Sequence, residues 1–126
     1  MGKRNILVID DDKLVCIALK KEMETEGYEV DYALCGDEAL DKVREKIYDI
    51  IFVDFILPKG DGVEVCERIK SVRPDATVVF MTGKVDKNTI ASEMRFVEEG
   101  GESKGLYKPF FENEIVETVK TILDNK

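Results

Sequence analysis

Short apolar runs alternate with amphipathic stretches along the whole chain. Ile6-Leu7-Val8-Ile9 is an unbroken apolar run that stops at three aspartates, which predicts a buried strand. Residues 13–26 carry a helical pattern, and Gly27 suits the cap that ends it. Residues 28–34 read as a second strand. Gly36-Asp37 then opens a second helix through about Ile47. Ile50-Ile51-Phe52-Val53 is a third buried strand. Asp61-Gly62-Val63-Glu64 has the spacing of a capping box and starts a third helix that runs to about Val72, ahead of Pro74. Ala76 to Met81 is a fourth strand, and 86–99 a fourth helix. Leu106-Tyr107 forms a short fifth strand, and 112–124 the last helix.

Near-continuous apolar strands between amphipathic helices indicate a parallel sheet covered on both faces, an α/β doubly wound fold. Function in such folds sits just beyond the carboxyl ends of the strands, near the point where the strand order reverses. No repeat, linker or low-complexity tract interrupts the pattern, so residues 1–126 read as one domain.

The 126 residues are 44% hydrophobic and 37% charged, a globular balance. The net charge of -8 opposes direct contact with nucleic acid or an anionic membrane. No apolar run approaches the roughly 18 residues that span a bilayer, and the N-terminus lacks the pattern of a signal peptide. Cys16, Cys35 and Cys66 are far apart and read as reduced thiols of a cytoplasmic protein. The chain has no histidine, so its chemistry must come from carboxylates, lysines and hydroxyls.

The strand ends concentrate those groups. Asp10-Asp11-Asp12 follows the first strand, Asp54 the third, Thr82-Gly83 the fourth and Lys108-Pro109 the fifth. Helix capping accounts for one aspartate of the triplet but poorly for three. Two carboxylates ~5 Å apart repel by roughly 3 kcal/mol at an effective dielectric near 20. With Asp54 adding a third, a cation should fill the site, and hard oxygen ligands with room for water suit Mg²⁺, or Mn²⁺ in its place. Asp12 reads as the capping or solvated member. Asp54 follows four apolar residues directly, where a carboxylate is a cap or a nucleophile. The next segment, Leu57-Pro58-Lys59-Gly60-Asp61-Gly62, reads as a turn, so nothing obvious needs capping at Asp54. As a nucleophile it could form an acyl phosphate. Lys108 would be the counter-charge and a ligand for phosphoryl oxygen. The Thr82 hydroxyl could bond the same group, with Gly83 leaving room.

In order and placement, ILVIDDD at 6–12, IIFVDFILPKGDG at 50–62, VVFMTG at 78–83 and YKPF at 107–110 resemble the receiver domains of two-component response regulators. The resemblance covers essentially the whole chain. It implies a flavodoxin-like (βα)5 sandwich with strand order 2-1-3-4-5. With the last helix at its end, the sequence is expected to carry no output domain, either as a single-domain type or as a fragment of a longer regulator. It implies Asp10 and Asp11 as the acidic pair, Asp54 as phosphoacceptor, Thr82 as switch hydroxyl and Lys108 as the essential lysine. Mg²⁺ would be held by Asp10, Asp11, Asp54 and the main-chain carbonyl of Ile56. The Lys108–Pro109 peptide bond is expected to be cis, against a general prior of about 5–6% for X–Pro. The partner implied is a sensor histidine kinase or histidine phosphotransfer protein, with a downstream protein target. The domain would catalyse only its own aspartyl phosphorylation and dephosphorylation.

The chain departs from that family at Gly105, where most members carry an aromatic coupled to the threonine. Tyr107 is adjacent to Lys108 but is expected to point to the other sheet face from it. The stretch 99–105 is longer than usual and reads equally as a tolerated surface insertion or as an altered output face. Ile56 and Lys84 occupy positions that tune dephosphorylation in the family, and Ile56 cannot orient a water, which predicts a long-lived phosphoryl group. On helix 1, Leu14, Val15 and Ala18 are candidates for kinase docking, although Val15 fits the core pattern. Three other readings compete. A flavodoxin-like FMN carrier is opposed by aspartates that would repel the FMN phosphate. A receiver-like adaptor acting without phosphorylation is opposed by the complete residue set. An aspartyl-phosphate phosphatase would want an acid where Ile56 stands.

Overall fold

The computed structural model describes residues 3–83, 87–111 and 113–124. Five strands and five helices alternate: β1 (Asn5–Ile9), α1 (Lys13–Thr25), β2 (Glu29–Ala33), α2 (Gly36–Glu45), β3 (Ile50–Asp54), α3 (Gly62–Val72), β4 (Val78–Thr82), α4 (Lys87–Glu98), β5 (Leu106–Tyr107) and α5 (Glu114–Asp124). The five strands form one sheet in the order β2-β1-β3-β4-β5, and every pairing is parallel. Between β3 and α3, Ile56–Leu57 and Gly60–Asp61 add a two-stranded antiparallel hairpin where the sequence suggested only a turn.

Strand alternation divides the core into two halves. Leu7, Ile9, Ile51, Val53, Val78 and Phe80 point to one face and pack with Leu40 and Val43 of α2, Ile69 of α3 and Phe96 of α4. Their chain neighbours Ile6, Val8, Ile50, Phe52, Val79 and Met81 point to the other face, against Cys16 and Met23 of α1 and Val119 of α5. Because both faces are covered, the central strands are apolar along Ile6–Ile9, Ile50–Val53 and Val78–Met81.

The helix boundaries follow local chemistry. Asp12 caps α1 by accepting from the Leu14 and Val15 amides, and Asp61 caps α3 by accepting from Glu64 N–H at 2.8 Å. α1 ends as expected at Gly27 (φ +93°), with Gly27 N–H on Glu24 O and Tyr28 N–H on Met23 O. α2 stops at Glu45, short of Ile47, because Lys46 turns to extended backbone. The fourth strand begins two residues later than the apolar run suggested and takes in Thr82.

The 99–105 segment is more than a free surface insertion. Gly100 (φ +94°) and Gly101 close α4 by donating to Val97 O and Phe96 O, and Glu102 N–H then bonds Val78 O at the start of β4.

Outside the core, Asp31 of β2 accepts from Tyr48 Oη at 2.7 Å and from Lys46 Nζ at 3.2 Å. Burial pushes its carboxyl up, but these partners outweigh burial and leave it below its usual value. A carboxyl depressed in the folded state stabilises the fold above its unfolded pKa, and that stabilisation fades as pH falls through the folded value. Asp31→Asn is therefore expected to cost about 1 kcal/mol at pH 7. The gap to wild type in denaturant unfolding should close on acidification below the ordinary aspartate pKa of 3.8.

Candidate functional site

The sheet order reverses at β1 and β3, and the polar residues gather beyond their carboxyl ends. Asp10 leaves β1 only 1% exposed, Asp54 ends β3 at 6% and Thr82 ends β4 at 1%. Lys108 comes over from the end of β5. Its Nζ lies 2.5 Å from Asp10 Oδ2 and 2.8 Å from Asp54 Oδ2, so one ammonium bridges two buried carboxylates. The Lys108–Pro109 peptide is cis, as expected.

The remaining carboxylate oxygens are held by main chain. Asp10 Oδ1 accepts from Asp12 N–H at 2.9 Å, and Asp54 Oδ1 accepts from Ile56 N–H at 2.9 Å. Asp54 therefore does cap the turn that follows it, a role that the sequence did not suggest. Beneath the acidic loop, the buried Cys16 thiol donates to the Asp10 carbonyl at 3.3 Å. Burial, with Asp10 next, pushes that thiol up to about 12, so it stays protonated and able to donate.

Burial also raises the Asp54 carboxyl, with Asp10 adding repulsion, and the bonds from Lys108 and the Ile56 amide only partly offset it. For Lys108, burial pulls the ammonium down, but Asp10 and Asp54 outweigh it and leave it raised. The lysine stays charged.

Asp11 is exposed at the rim, and Asp10, Asp11 and Asp54 each offer one oxygen within 4.8 Å of the others. Among the described residues three carboxylates face one ammonium, which leaves negative charge uncompensated, and the donors are all hard oxygens. The set fits a divalent cation of the magnesium type. Asp12 is already engaged at the helix cap, as the sequence suggested.

Close approach of main chain completes the site. A Cβ at Gly62 would lie 2.5 Å from the Asp54 carbonyl oxygen and 3.0 Å from Phe55 Cα, so only glycine lets α3 begin against the end of β3. The sequence reading took Gly62 as part of a turn and missed this constraint, as it missed the Cys16 contact. On the far side, a cleft of about 290 Å³ is lined by Phe55, Ile56, Asp61, Thr82, Asn88, Thr89 and Ser92. Lys84 lies outside the described residues. Of the docking candidates on α1, Leu14 is 77% exposed and Ala18 is exposed, whereas Val15 is half-buried against the core.

Residues 6–120 match the family described as the response regulator receiver domain. The chain belongs to that family. Among its curated relatives, the transcriptional regulatory protein ResD of Bacillus subtilis is 35% identical over 122 residues, 97% of this chain and 49% of that protein. The phosphate regulon transcriptional regulatory protein PhoB of Rhizobium meliloti is 30% identical over 121 residues, 94% of this chain and 51% of that protein. The receiver domain thus spans about half the length of the curated relatives it matches. A CheY-like receiver domain protein from Methanospirillum hungatei superposes with a TM-score of 0.90 at 27% identity, covering 98% of this chain and 96% of that one. A two-component response regulator from Clostridium difficile gives 0.85 at 33% identity, with 97% of each chain covered.

If the rim carboxylate completes a cation site, Asp11→Asn should weaken Mg²⁺ binding at least about tenfold in a calorimetric titration. Asp12→Asn, whose side chain can still cap α1, should leave the affinity within about twofold.

Proposed function

We propose that this receiver domain accepts one phosphoryl group on Asp54 from the phosphohistidine of a sensor kinase or phosphotransfer protein, and passes the signal to a downstream protein through the change that follows. The observation that carries the proposal is the bridged pair. The Asp54 carboxylate stands at a strand end, held by Lys108 and by the Ile56 amide, within ligand distance of two further carboxylates.

In the proposed reaction an Asp54 oxygen attacks phosphorus, the P–O bond forms as the P–N bond to the partner's imidazole breaks, and the imidazole leaves with the bonding pair. Mg²⁺ on Asp10, Asp11, Asp54 and the Ile56 carbonyl, or Mn²⁺ in its place, would neutralise phosphoryl oxygens and favour in-line transfer. Lys108 would exchange its Asp54 contact for a phosphoryl oxygen, and the Thr82 hydroxyl would bond another. The protein is then a substrate that assists its own modification and not an enzyme acting on others. Its net charge of -8 opposes direct nucleic-acid contact by this domain, so the output goes through protein surfaces. No helix among the described residues is long and apolar enough to cross a membrane.

Incubation with acetyl phosphate and Mg²⁺ should add a single phosphoryl group by intact mass, and none to Asp54→Asn or with a chelator present. No adduct on a wild type shown to bind Mg²⁺ would point instead to an adaptor that acts without phosphorylation. The Ile56 side chain is 53% exposed and has no polar atom to align an attacking water. The adduct is therefore expected to persist for minutes or longer once the donor is removed. Loss within seconds would contradict that assignment.

A further inference from the structure

The position that lacks an aromatic explains itself in the packing. A Cβ at Gly105 would come within 2.2 Å of the Phe80 ring, so a ring from β4 occupies the space that a side chain at 105 would need. Phe80 stacks on Phe55 with centroids 4.5 Å apart, and both meet Phe96 of α4 edge-on at 5.6 Å. Phe55 follows Asp54 in the chain, and Phe80 lies two residues before Thr82.

Tyr107 joins this cluster. Alternation places it on the same face of β5 as position 105, and it meets Phe80 edge-on at 5.8 Å. As alternation predicts, Tyr107 points away from Lys108, and it lies on the side of Phe80 and α4. Its hydroxyl donates to Glu93 of α4. The charge-assisted bond to Glu93, with burial second, pushes the phenol up to about 12, so it remains a donor at neutral pH. Tyr107 thus touches α4 at one end and is joined through the chain to Lys108, the ammonium that bridges Asp10 and Asp54, at the other.

We propose that Tyr107 is a positioning residue that ties α4 to the phosphorylation site: its bond to Glu93 holds α4 in place while Lys108 bridges the two aspartates, and the bond is released when a phosphoryl group on Asp54 draws Lys108 and Thr82 inward. The observations that carry it are the Tyr107–Glu93 bond, the ring contact with Phe80 and the adjacency to Lys108. Ile90, Met94 and Val97 are exposed on α4 at helical spacing, so a looser α4 changes how this apolar stripe is presented. The proposal rests on Asp54 as acceptor.

Hydrogen–deuterium exchange of the α4 amides in the full chain tests it, beside intact mass as an independent record of phosphorylation. Without phosphodonor, Tyr107→Phe and Glu93→Ala should exchange α4 roughly five-fold faster than wild type, the loss of one hydrogen bond. Glu93→Gln, which still accepts, should fall between. Acetyl phosphate with Mg²⁺ should speed α4 exchange in wild type and much less in Tyr107→Phe, although both take up the same phosphoryl mass. Exchange in Tyr107→Phe and Glu93→Ala that matches wild type without donor overturns the proposal. So does a wild-type-sized response of Tyr107→Phe to phosphorylation. A wild type that takes up no phosphoryl mass overturns the proposed function and the release step together, whereas the comparison without donor still decides whether Tyr107 and Glu93 hold α4.

Discussion

The Lys108 ammonium between Asp10 and Asp54 is the interaction on which the rest of the site depends. Both aspartate side chains are less than a tenth exposed, and a buried carboxylate without a partner costs several kcal/mol. The carboxylates come from β1 and β3, adjacent at the centre of the sheet, while the lysine comes from the edge strand β5. The ion bridge therefore joins the middle of the sheet to its margin. Under the proposed function, a phosphoryl group on Asp54 would compete for the Lys108 ammonium, and whatever moves with Lys108 would carry the information.

The scaffold makes that competition local. Both sheet faces are packed with apolar side chains, so the strands cannot slide without exposing them. What can move lies beyond the strand ends: the Asp10–Asp12 loop and the turn after Asp54. Gly62 and Cys16 keep both close to the carboxylates. The aromatic group of Phe55, Phe80, Phe96 and Tyr107 joins the ends of the central and edge strands to α4.

The fold was legible in the sequence because β1, β3 and β4 are nearly pure apolar runs that each stop at a polar residue. That pattern located Asp10, Asp54 and Thr82 without any knowledge of their neighbours. Lys108 was legible as the basic residue after a weak two-residue strand. The capping roles of Asp12 and Asp61 were also accessible, since an N-cap is a contact within four residues. Less legible were contacts that need three-dimensional placement. Nothing local says that Gly62 must leave room for the Asp54 carbonyl, or that Phe80 fills the space beside Gly105. Alternation set Tyr107 on the face away from Lys108, but nothing local says that its hydroxyl reaches Glu93 of α4. The 99–105 segment looked like an insertion because its bonds to Phe96, Val97 and Val78 are made by main chain, which composition does not reveal.

The charge balance itself can be measured most directly by comparing the unfolding free energy of wild type and Lys108→Met, each with a chelator and with saturating Mg²⁺. Removing the one ammonium should cost roughly 3 kcal/mol without metal, because Asp10 and Asp54 then face each other uncompensated. Mg²⁺ should restore at least half of that loss, since the cation takes over the compensation. Equal stability of the two proteins in chelator, or a loss that Mg²⁺ leaves untouched, would contradict the account.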